Sequence, residues 1–403
     1  MKRKIPIYFW FPVVGCIAGG TFFMNIAPVA DQFMKLFGVG YAGLSVFISI
    51  ISWSHSFFQM PGGLVVDRAG VTRALSICLV VMIIANLVPF AAPESLPLAI
   101  AMKALLGLVT GSFFMAMIKI IKILTPPVHI ARMQGMHGAA FCLGTLIPYF
   151  YLPPTGAYGW TASYLTGVLF CCIVGLCMFC LPLDRLRETK NSETFSQMLQ
   201  AVKKISTSKT FWVLGCGHGF FYGTINNFGT WLPTILTDIT TNSSPADWAT
   251  ATGVLLFVGT LGRIFGSEII GRLTRWQIIS HALPIIGITY WLLAFCADAE
   301  LYLGICLVLA VLCGLTFASV FTLIIDVAAP AYVFVTMGFV NMLANVTSII
   351  MILLWGTLRE YTGNFSAALC ISGTAVLVVW HRSRRCNPEK KHPTDTATPD
   401  TPD

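Results

Sequence analysis

The sequence has few charged residues. Only 10% of its 403 residues are Asp, Glu, Lys or Arg, whereas about a quarter of the residues in soluble domains are charged. Hydrophobic residues make up 56% of the chain. The composition therefore predicts an integral membrane protein. Because each span of a bilayer takes about 20 residues, twelve spans would leave no room for a separate soluble domain.

Several functional motifs are also absent. The phosphate-binding pattern Gly-x-x-x-x-Gly-Lys-Ser/Thr does not occur, so nothing in the sequence holds the phosphates of ATP. No nucleophile, acid and base can be grouped into a catalytic set, and no metal-ligand spacing stands out. We therefore expect a protein that is not an enzyme, that needs no cofactor or metal, and that is not driven by ATP.

The net charge of +8 does not indicate a nucleic-acid partner. In so hydrophobic a chain, basic residues mark the side of the membrane on which each loop lies. The thirteen cysteines likewise do not form a disulfide framework. Twelve of them lie in apolar runs, where a small packing residue is the simplest interpretation, and Cys386 lies near the C-terminus.

Twelve apolar runs predict an all-α membrane protein. Lipid cannot satisfy backbone polar groups, so each run is expected to be a helix, and the alternating ten-residue segments of a barrel are not present. The runs cover residues 8–30, 41–62, 74–92, 97–118, 133–152, 162–182, 211–236, 248–270, 277–296, 301–325, 332–356 and 364–381.

The basic residues predict the orientation of these helices. If the N-terminus is cytoplasmic, 21 Lys and Arg residues fall on the cytoplasmic side, and only Lys35 and Arg359 fall on the other. Positive residues are enriched in cytoplasmic loops. The sequence therefore predicts that both termini are cytoplasmic, in a plasma membrane or a bacterial inner membrane.

The chain also shows signs of an internal duplication. Matching residues recur at an offset of 203 or 204, which is typical of repeated transporter halves. The pairs are Gly20 with Gly223, Gly62 with Gly266, Arg68 with Arg272, and Gly135 with Gly338. The predicted organisation is an N-terminal six-helix bundle over residues 1–183, a cytoplasmic linker over 184–210, a C-terminal six-helix bundle over 211–381 and a disordered cytoplasmic tail over 382–403.

One loop motif resembles that of a known family. Between the second and third runs the chain reads Gly63-Leu-Val-Val-Asp67-Arg68-Ala-Gly70-Val-Thr-Arg73. This is similar to the signature Gly-x-x-x-Asp-Arg-x-Gly-x-x-Arg of the major facilitator superfamily, and it lies where that family carries it. The residue types predict a close helix approach at Gly63 and a tight turn at Gly70, with Arg68 and Arg73 at the wet face. The resemblance implies two pseudo-symmetric six-helix bundles and a role in gating the cytoplasmic side for Gly63, Asp67, Arg68, Gly70 and Arg73.

Other segments resemble the family less completely. The second copy of the loop motif is degraded, because Gly271 stands where the acidic residue would be. In the fourth run, Lys103 replaces the Arg that precedes a Gly by four positions in proton-coupled antiporters. The end of the seventh run, Trp231-Leu232-Pro233-Thr234-Ile235-Leu236, resembles the organic-anion and cyanate-permease-like branches.

Two basic residues fall inside predicted spans. Charged side chains within a bilayer are costly and usually face a watery cavity or a partner. Lys103 and Arg263 have few acidic residues at their depth, so the sequence predicts an electropositive cavity and an anionic substrate. The alternative is that Arg263 pairs with Asp326 and that Lys103 extends to the membrane surface.

Neutral polar residues complete the predicted site. In the family, the first, fourth, seventh and tenth helices line the transport path, which makes Asn25, Tyr222, Asn226 and Asn227 candidates for substrate binding. Asn226 and Asn227 point about 100° apart on a helix, so at most one is expected to face a ligand. His55, His218 and Asp326 are candidates for ion coupling, although a lone membrane histidine is more often a hydrogen-bonded packing residue.

The leading hypothesis is a secondary active transporter that moves a small organic anion by alternating access. A polyspecific drug/proton antiporter and a transporter-like sensor that moves nothing remain alternatives. The expected partners are a small-molecule substrate and the lipid bilayer, and we expect a monomer.

Overall fold

The protein is helical in the residues that the computed structural model describes. These are residues 10–126, 130–182, 186, 195–240, 243–269, 273–328 and 333–386. Each of the twelve apolar runs predicted from the sequence falls on a helix in this part of the chain. Eight helical segments are long and apolar enough to cross a membrane. The fold is an all-α membrane fold, as predicted.

The six apolar runs predicted in the N-terminal half fall on helices in the described part of the chain. The helices are α1 (Phe11–Met24), α2 (Ala30–Phe37), α3 (Tyr41–Ala69), α4 (Val71–Leu87), α5 (Leu96–Leu124), α6 (Ile130–Leu146), α7 (Pro148–Tyr151) and α8 (Gly159–Cys177).

A short amphipathic helix precedes the C-terminal bundle of six helices. The linker helix is α9 (Phe195–Ser206), and the bundle consists of α10 (Lys209–Ile239), α11 (Pro245–Ile269), α12 (Arg275–Ala294), α13 (Ala299–Val327), α14 (Val333–Thr362) and α15 (Ser366–Ser383). Some predicted segments lie outside the described residues. They are linker residues 184, 185 and 187–194, the degraded motif at 270–272, and the tail after residue 386.

The first membrane segment is not one continuous helix. It breaks after Met24, and a 3₁₀ turn over residues 27–29 joins α1 to α2. Pro28 lies in that turn and cannot donate a backbone hydrogen bond. The break leaves carbonyl groups at the end of α1 without their helical donors.

Both bundles contain helix pairs that approach at glycine. In the N-terminal half, a Cβ on Gly62 of α3 would lie 3.0 Å from the backbone of Ser112 on α5. In the C-terminal half, a Cβ on Gly262 of α11 would lie 3.2 Å from the Cα of Gly314 on α13. Small residues allow this close packing of membrane helices. The equivalent pairs reflect the pseudo-symmetry of the fold.

The loop motif shows which of its glycines the backbone requires. Gly70 has a φ of +82° and joins α3 to α4, a conformation that favours glycine. Gly63, which we expected to allow helix approach, faces only the flexible end of Met115. The close approach is instead at Gly62. Arg68 and Arg73 are exposed.

Each end of the bundle carries an ion pair. We call the end where α1 begins and α3 ends the basic face, and the end where α2 ends and α3 begins the opposite face. At the basic face, Lys119 of α5 forms an ion pair with Asp67 of α3, within the N-terminal half. At the opposite face, Arg359 of α14 binds Asp238 of α10 through two hydrogen bonds of 2.8 and 2.9 Å.

The two halves contact each other closely at the opposite face. The Glu360 carboxylate on α14 accepts a 2.7 Å hydrogen bond from the backbone N–H of Ala42, in the first turn of α3. The guanidinium of Arg359 lies 4.9 Å from the ring centre of Tyr41. Deeper in the bundle, the Tyr149 hydroxyl donates to the carbonyl of Gly229. The opposite face is therefore closed in this structure.

We expect Glu360→Ala to loosen the opposite face. The substitution removes the acceptor of the Ala42 amide and an anion that is favourable at the N-terminus of α3. An exposed bond of this kind contributes about 1 kcal/mol, which corresponds to an about fivefold larger population of the open form. Amide hydrogen exchange at the start of α3 measures the change.

The exposed Glu300 in the first turn of α13 provides a matched control. Glu300→Ala should leave exchange at the start of α3 unchanged. Equal exchange in native protein and Glu360→Ala would show that this contact does not hold the two halves together.

Candidate substrate site

Arg263 is placed by the tight packing of α11 against α13. A Cβ on Gly314 of α13 would lie 2.9 Å from the Cα of Gly262 and 3.0 Å from the backbone nitrogen of Arg263. The absence of a side chain at Gly314 thus lets α13 lie directly against the backbone of Arg263. Since this contact is between main chains, the base of the arginine side chain has a fixed position.

The guanidinium of Arg263 reaches from the C-terminal half towards the N-terminal half. Its Nη1 donates a 2.9 Å hydrogen bond to the Sγ of Cys142 on α6. Its Cζ lies 4.5 Å from the ring centre of Phe317 and 5.8 Å from that of Tyr222. These aromatic faces favour a cation, but they do not neutralise it.

No carboxylate pairs with Arg263 among the residues that the structure describes. The alternative partner considered from the sequence, Asp326, instead forms an ion pair with Arg275 at the basic face. Both of those side chains are more than 40% exposed. Asp326 is therefore not the countercharge of Arg263, and its proposed role in ion coupling stays a prediction.

A narrow cavity between the two halves adjoins Arg263. We call it the arginine cavity. Its lining residues come from both bundles, and half of them have polar side chains. They consist of Phe141, Cys142 and Thr145 of α6, with Tyr222, Ile225, Asn226, Leu256, Gly259, Thr260 and Arg263 of α10 and α11.

The structure separates the two adjacent asparagines of α10. Asn226 lines the arginine cavity, and its Nδ2 donates to the Oγ of Ser348 at 3.3 Å. Asn227 is fully buried and donates to the carbonyl groups of Gly223 and Ser348. Both asparagines therefore link α10 to α14 through Ser348, and of the two only Asn226 lines the arginine cavity.

A second narrow cavity lies in the N-terminal half, and we call it the histidine cavity. It is lined by His55 and Thr110, by the small residues Cys16 and Gly19, and by Phe23, Phe113, Phe114, Met117 and Phe141. Phe141 also lines the arginine cavity. The two cavities therefore share one lining residue.

Lys103 lines neither of these cavities. It is only 4% exposed, and its Nζ donates to the carbonyl of Phe22 at 3.0 Å and to the Oδ1 of Asn25 at 2.8 Å. Phe22 lies in the last turn of α1, where a cation is favoured by the helix dipole. Lys103 thus binds the broken end of α1, and it does not extend to the membrane surface.

Asn25 completes this connection. Its Nδ2 donates to the carbonyl of Ser163 on α8 at 3.1 Å, and the Ser163 hydroxyl donates back to the carbonyl of Asn25 at 2.8 Å. Asn25 and Lys103 therefore join α1, α5 and α8 at the break. The contact of these two residues with substrate stays a prediction.

His218 is buried in the C-terminal half. Neither of its ring nitrogens has a hydrogen-bond partner in the described part of the chain. Its ring packs against Phe317 and Phe321, with centre distances of 5.5 and 5.3 Å. Phe317 thus contacts both His218 and Arg263, but His218 lines neither cavity.

Three residues of the arginine cavity are not among those predicted from the sequence, namely Phe141, Cys142 and Thr145 of α6. These residues carry no charge and lie in an ordinary apolar run, so they gave no signal of a site. Their importance comes from the meeting of α6 with α11 across the two halves, which a sequence alone does not show. Thr260, one turn before Arg263, could have been selected as a polar neighbour on the same helix face.

The family model of the Major Facilitator Superfamily matches residues 13–382 of the chain. The chain belongs to this superfamily. It is accordingly a multi-pass membrane transporter and not an enzyme. No curated protein sequence matches the chain.

Several solved structures of superfamily transporters share the fold. A mutant of the nucleoside transporter NupG is similar with a TM-score of 0.76, at 11% identity over 94% of this chain and 100% of the other. The xylose transporter XylE from E. coli, in an inward open conformation, has a TM-score of 0.74 at 14% identity, covering 94% and 96%.

A bacterial homologue of the human lysosomal transporter Spinster, in an inward-facing conformation, has a TM-score of 0.70 at 14% identity. The match covers 95% of this superfamily chain and 97% of the other. At these identities the likeness concerns the fold, and a shared fold does not determine a substrate. The resemblance to the organic-anion and cyanate-permease-like branches stays a prediction.

Proposed function

We propose that this superfamily member is a secondary active transporter that moves a small organic anion by alternating access. The observation that carries the proposal is the position of Arg263. Its guanidinium lines a cavity between the two halves, and no carboxylate in the described residues neutralises it. A bound anion would supply the missing negative charge.

The chemistry of Arg263 favours a carboxylate or a similar planar anion. A guanidinium is always charged at physiological pH and presents several N–H donors in one plane, which match the two oxygens of a carboxylate. Only one described protein acceptor, the Cys142 sulfur, uses these donors. The amide of Asn226 and the ring of Tyr222 complete the polar part of the arginine cavity.

The position of the arginine cavity suggests how binding is linked to movement. The Arg263 guanidinium comes from α11, while Cys142 and Thr145 come from α6 in the other half. A ligand that contacts both walls stabilises one relative arrangement of the halves over another, which is the requirement for alternating access.

The loop motif supplies the second part of the proposed cycle. With the opposite face closed by Glu360 and Ala42, substrate exchange would occur at the basic face, which we expect to be cytoplasmic because it carries most of the Lys and Arg residues. We propose that Gly63, Asp67, Arg68, Gly70 and Arg73 control closure of that face. In this structure Asp67 binds Lys119 of its own half, so it remains free of the other half.

Arg263→Gln is expected to weaken binding of the transported anion by about tenfold to a hundredfold. Glutamine keeps hydrogen-bonding ability but loses the charge, and a charged hydrogen bond contributes about 1.5 to 3 kcal/mol. Thermal-shift titration of the purified protein with benzoate, phenylacetate, succinate, glucose, uridine and tetraphenylphosphonium identifies the ligand class. Uptake of the best labelled ligand into proteoliposomes then tests transport.

Arg275→Gln is the matched control, because Arg275 is exposed and lies at the basic face. It should leave affinity unchanged. Stabilisation by cations alone would favour the drug/proton antiporter, and binding without flux would favour the transporter-like sensor. Unchanged affinity in Arg263→Gln would remove Arg263 from the site.

A further inference from the structure

The histidine cavity has a lining that the proposed function does not use. Its side chains are aromatic, apolar or neutral, apart from the imidazole of His55, and no Lys, Arg, Asp or Glu lines it. It shares the lining residue Phe141 with the arginine cavity. The two cavities therefore differ in chemistry although they are neighbours.

We propose that the histidine cavity is a second subsite for the same substrate. It would hold the aromatic end of the anion, and His55 would accept a hydrogen bond from a hydroxyl or N–H group on that ring. This inference rests on the proposed function, because Arg263 binds the carboxylate end. The substrate class is thus an aromatic monocarboxylate with a hydrogen-bond donor far from the carboxylate.

The aromatic lining favours a ring over an aliphatic or sugar-like body. The ring of Phe23 packs edge-on to His55 and to Phe141, with centre distances of 5.1 Å in both pairs. The ring centre of Phe114 lies 6.0 Å from that of His55. Aromatic rings prefer such edge-to-face contacts with other rings, so a ligand ring would find suitable partners on several sides.

The positions of the buried basic residues argue against a dicarboxylate. A second carboxylate would need a second cation at the far end of the substrate. Lys103, the other basic residue buried in the membrane, uses its ammonium group on the broken end of α1 and does not line the histidine cavity. The paired cavities therefore fit one negative charge and one uncharged end.

The hydrogen bonds of His55 indicate what it offers a ligand. The hydroxyl of Thr110 donates to the carbonyl of Gly107 at 2.9 Å, and its oxygen lies 3.2 Å from the Nδ1 of His55. Since a hydroxyl has one hydrogen, Nδ1 is the donor in this pair. Nε2 then carries a lone pair, for which the described residues show no donor.

Phe141 lines both subsites in this structure. Its ring contacts Phe23 and Phe114 in the N-terminal half, while its neighbour Cys142 contacts Arg263. A rotation of this ring would join the two narrow cavities into one elongated site. The substrate would then extend from α11 to α3 and α5, and would contact both halves of the transporter.

Matched ligands test the proposal on the full-length purified protein. Dissociation constants are measured for phenylacetate, its 3-hydroxy and 4-hydroxy derivatives, 3-(4-hydroxyphenyl)propionate and glutarate. We expect one hydroxylated acid to bind about five to ten times more tightly than its parent. In His55→Phe this preference should disappear, while the affinity for phenylacetate changes less than about threefold.

Thr110→Val provides a second variant in case His55→Phe does not fold. Valine is close to threonine in shape but removes the oxygen that orients the His55 ring, so the preference for the hydroxylated acid should again fall. The subsite proposal is overturned if no hydroxylated acid binds better than its parent, or if the preference survives in both variants.

Two outcomes distinguish the aromatic subsite from the anion transporter. If glutarate binds most tightly and its binding depends on Arg263, the anion transporter stands and the aromatic subsite is wrong. If no carboxylate binds at all, both proposals fail.

Discussion

Gly314→Leu is expected to prevent the C-terminal bundle from folding. A single Cβ at this position would already lie 2.9 Å from the Cα of Gly262 and 3.0 Å from the backbone nitrogen of Arg263. These atoms belong to the main chain of α11, so no side-chain rotation relieves the clash. The two helices would have to separate, at a cost of about 3 kcal/mol or more.

The measurement is the yield of monodisperse protein and its melting temperature. Gly314→Ala adds only the Cβ and should give an intermediate loss of stability. Gly304→Leu is the matched control, because Gly304 lies on the same helix with no atom within 4 Å of its Cβ position. A stable Gly314→Leu protein would mean that the packing of α11 on α13 is not close in the native state.

Lys103→Met is expected to lower stability by about 2 to 4 kcal/mol. Methionine keeps much of the apolar stem but removes the ammonium group, which leaves the Phe22 carbonyl and the Asn25 Oδ1 without this donor. Each buried acceptor that loses its partner costs about 1 to 3 kcal/mol. The expected result is a melting temperature several degrees lower, with increased hydrogen exchange around the break between α1 and α2.

Lys122→Met controls for the loss of a positive charge, because Lys122 is exposed on the same helix. Titration of each variant with the transported anion separates two roles of Lys103. Reduced stability with unchanged affinity indicates a residue that holds the broken helix. Reduced affinity with unchanged stability would place Lys103 in the substrate site, as the sequence predicts.

The structure of the loop motif was predicted only in part from the sequence. The sequence correctly predicts a tight turn at Gly70, which has a positive φ, and wet positions for Arg68 and Arg73. It assigns the close helix approach to Gly63, whereas Gly62 faces the backbone of Ser112. Neighbouring residues point about 100° apart on a helix, and a motif does not specify which of them faces the partner helix.

The polar residues of the seventh span show the same limit. The sequence predicts that at most one of Asn226 and Asn227 faces a ligand, but it does not show which of the two does. Both side chains donate to Ser348 of α14, but only Asn226 lines the arginine cavity, whereas Asn227 is fully buried. Likewise, the first apolar run reads as one helix, while its break becomes evident only where Lys103 and Asn25 meet the end of α1.

The sequence by itself determined that the protein is an all-α membrane transporter of the major facilitator type, because hydropathy, charge and the loop motif are local properties of the chain. Only the tertiary structure decided which of the charged residues predicted for the site already have a partner. Lys103 is bound by a helix end, Asp326 by Arg275, and Arg263 by a cysteine of the other half. The physical reason is that electrostatic compensation depends on distances between helices far apart in sequence, and those distances are set by packing.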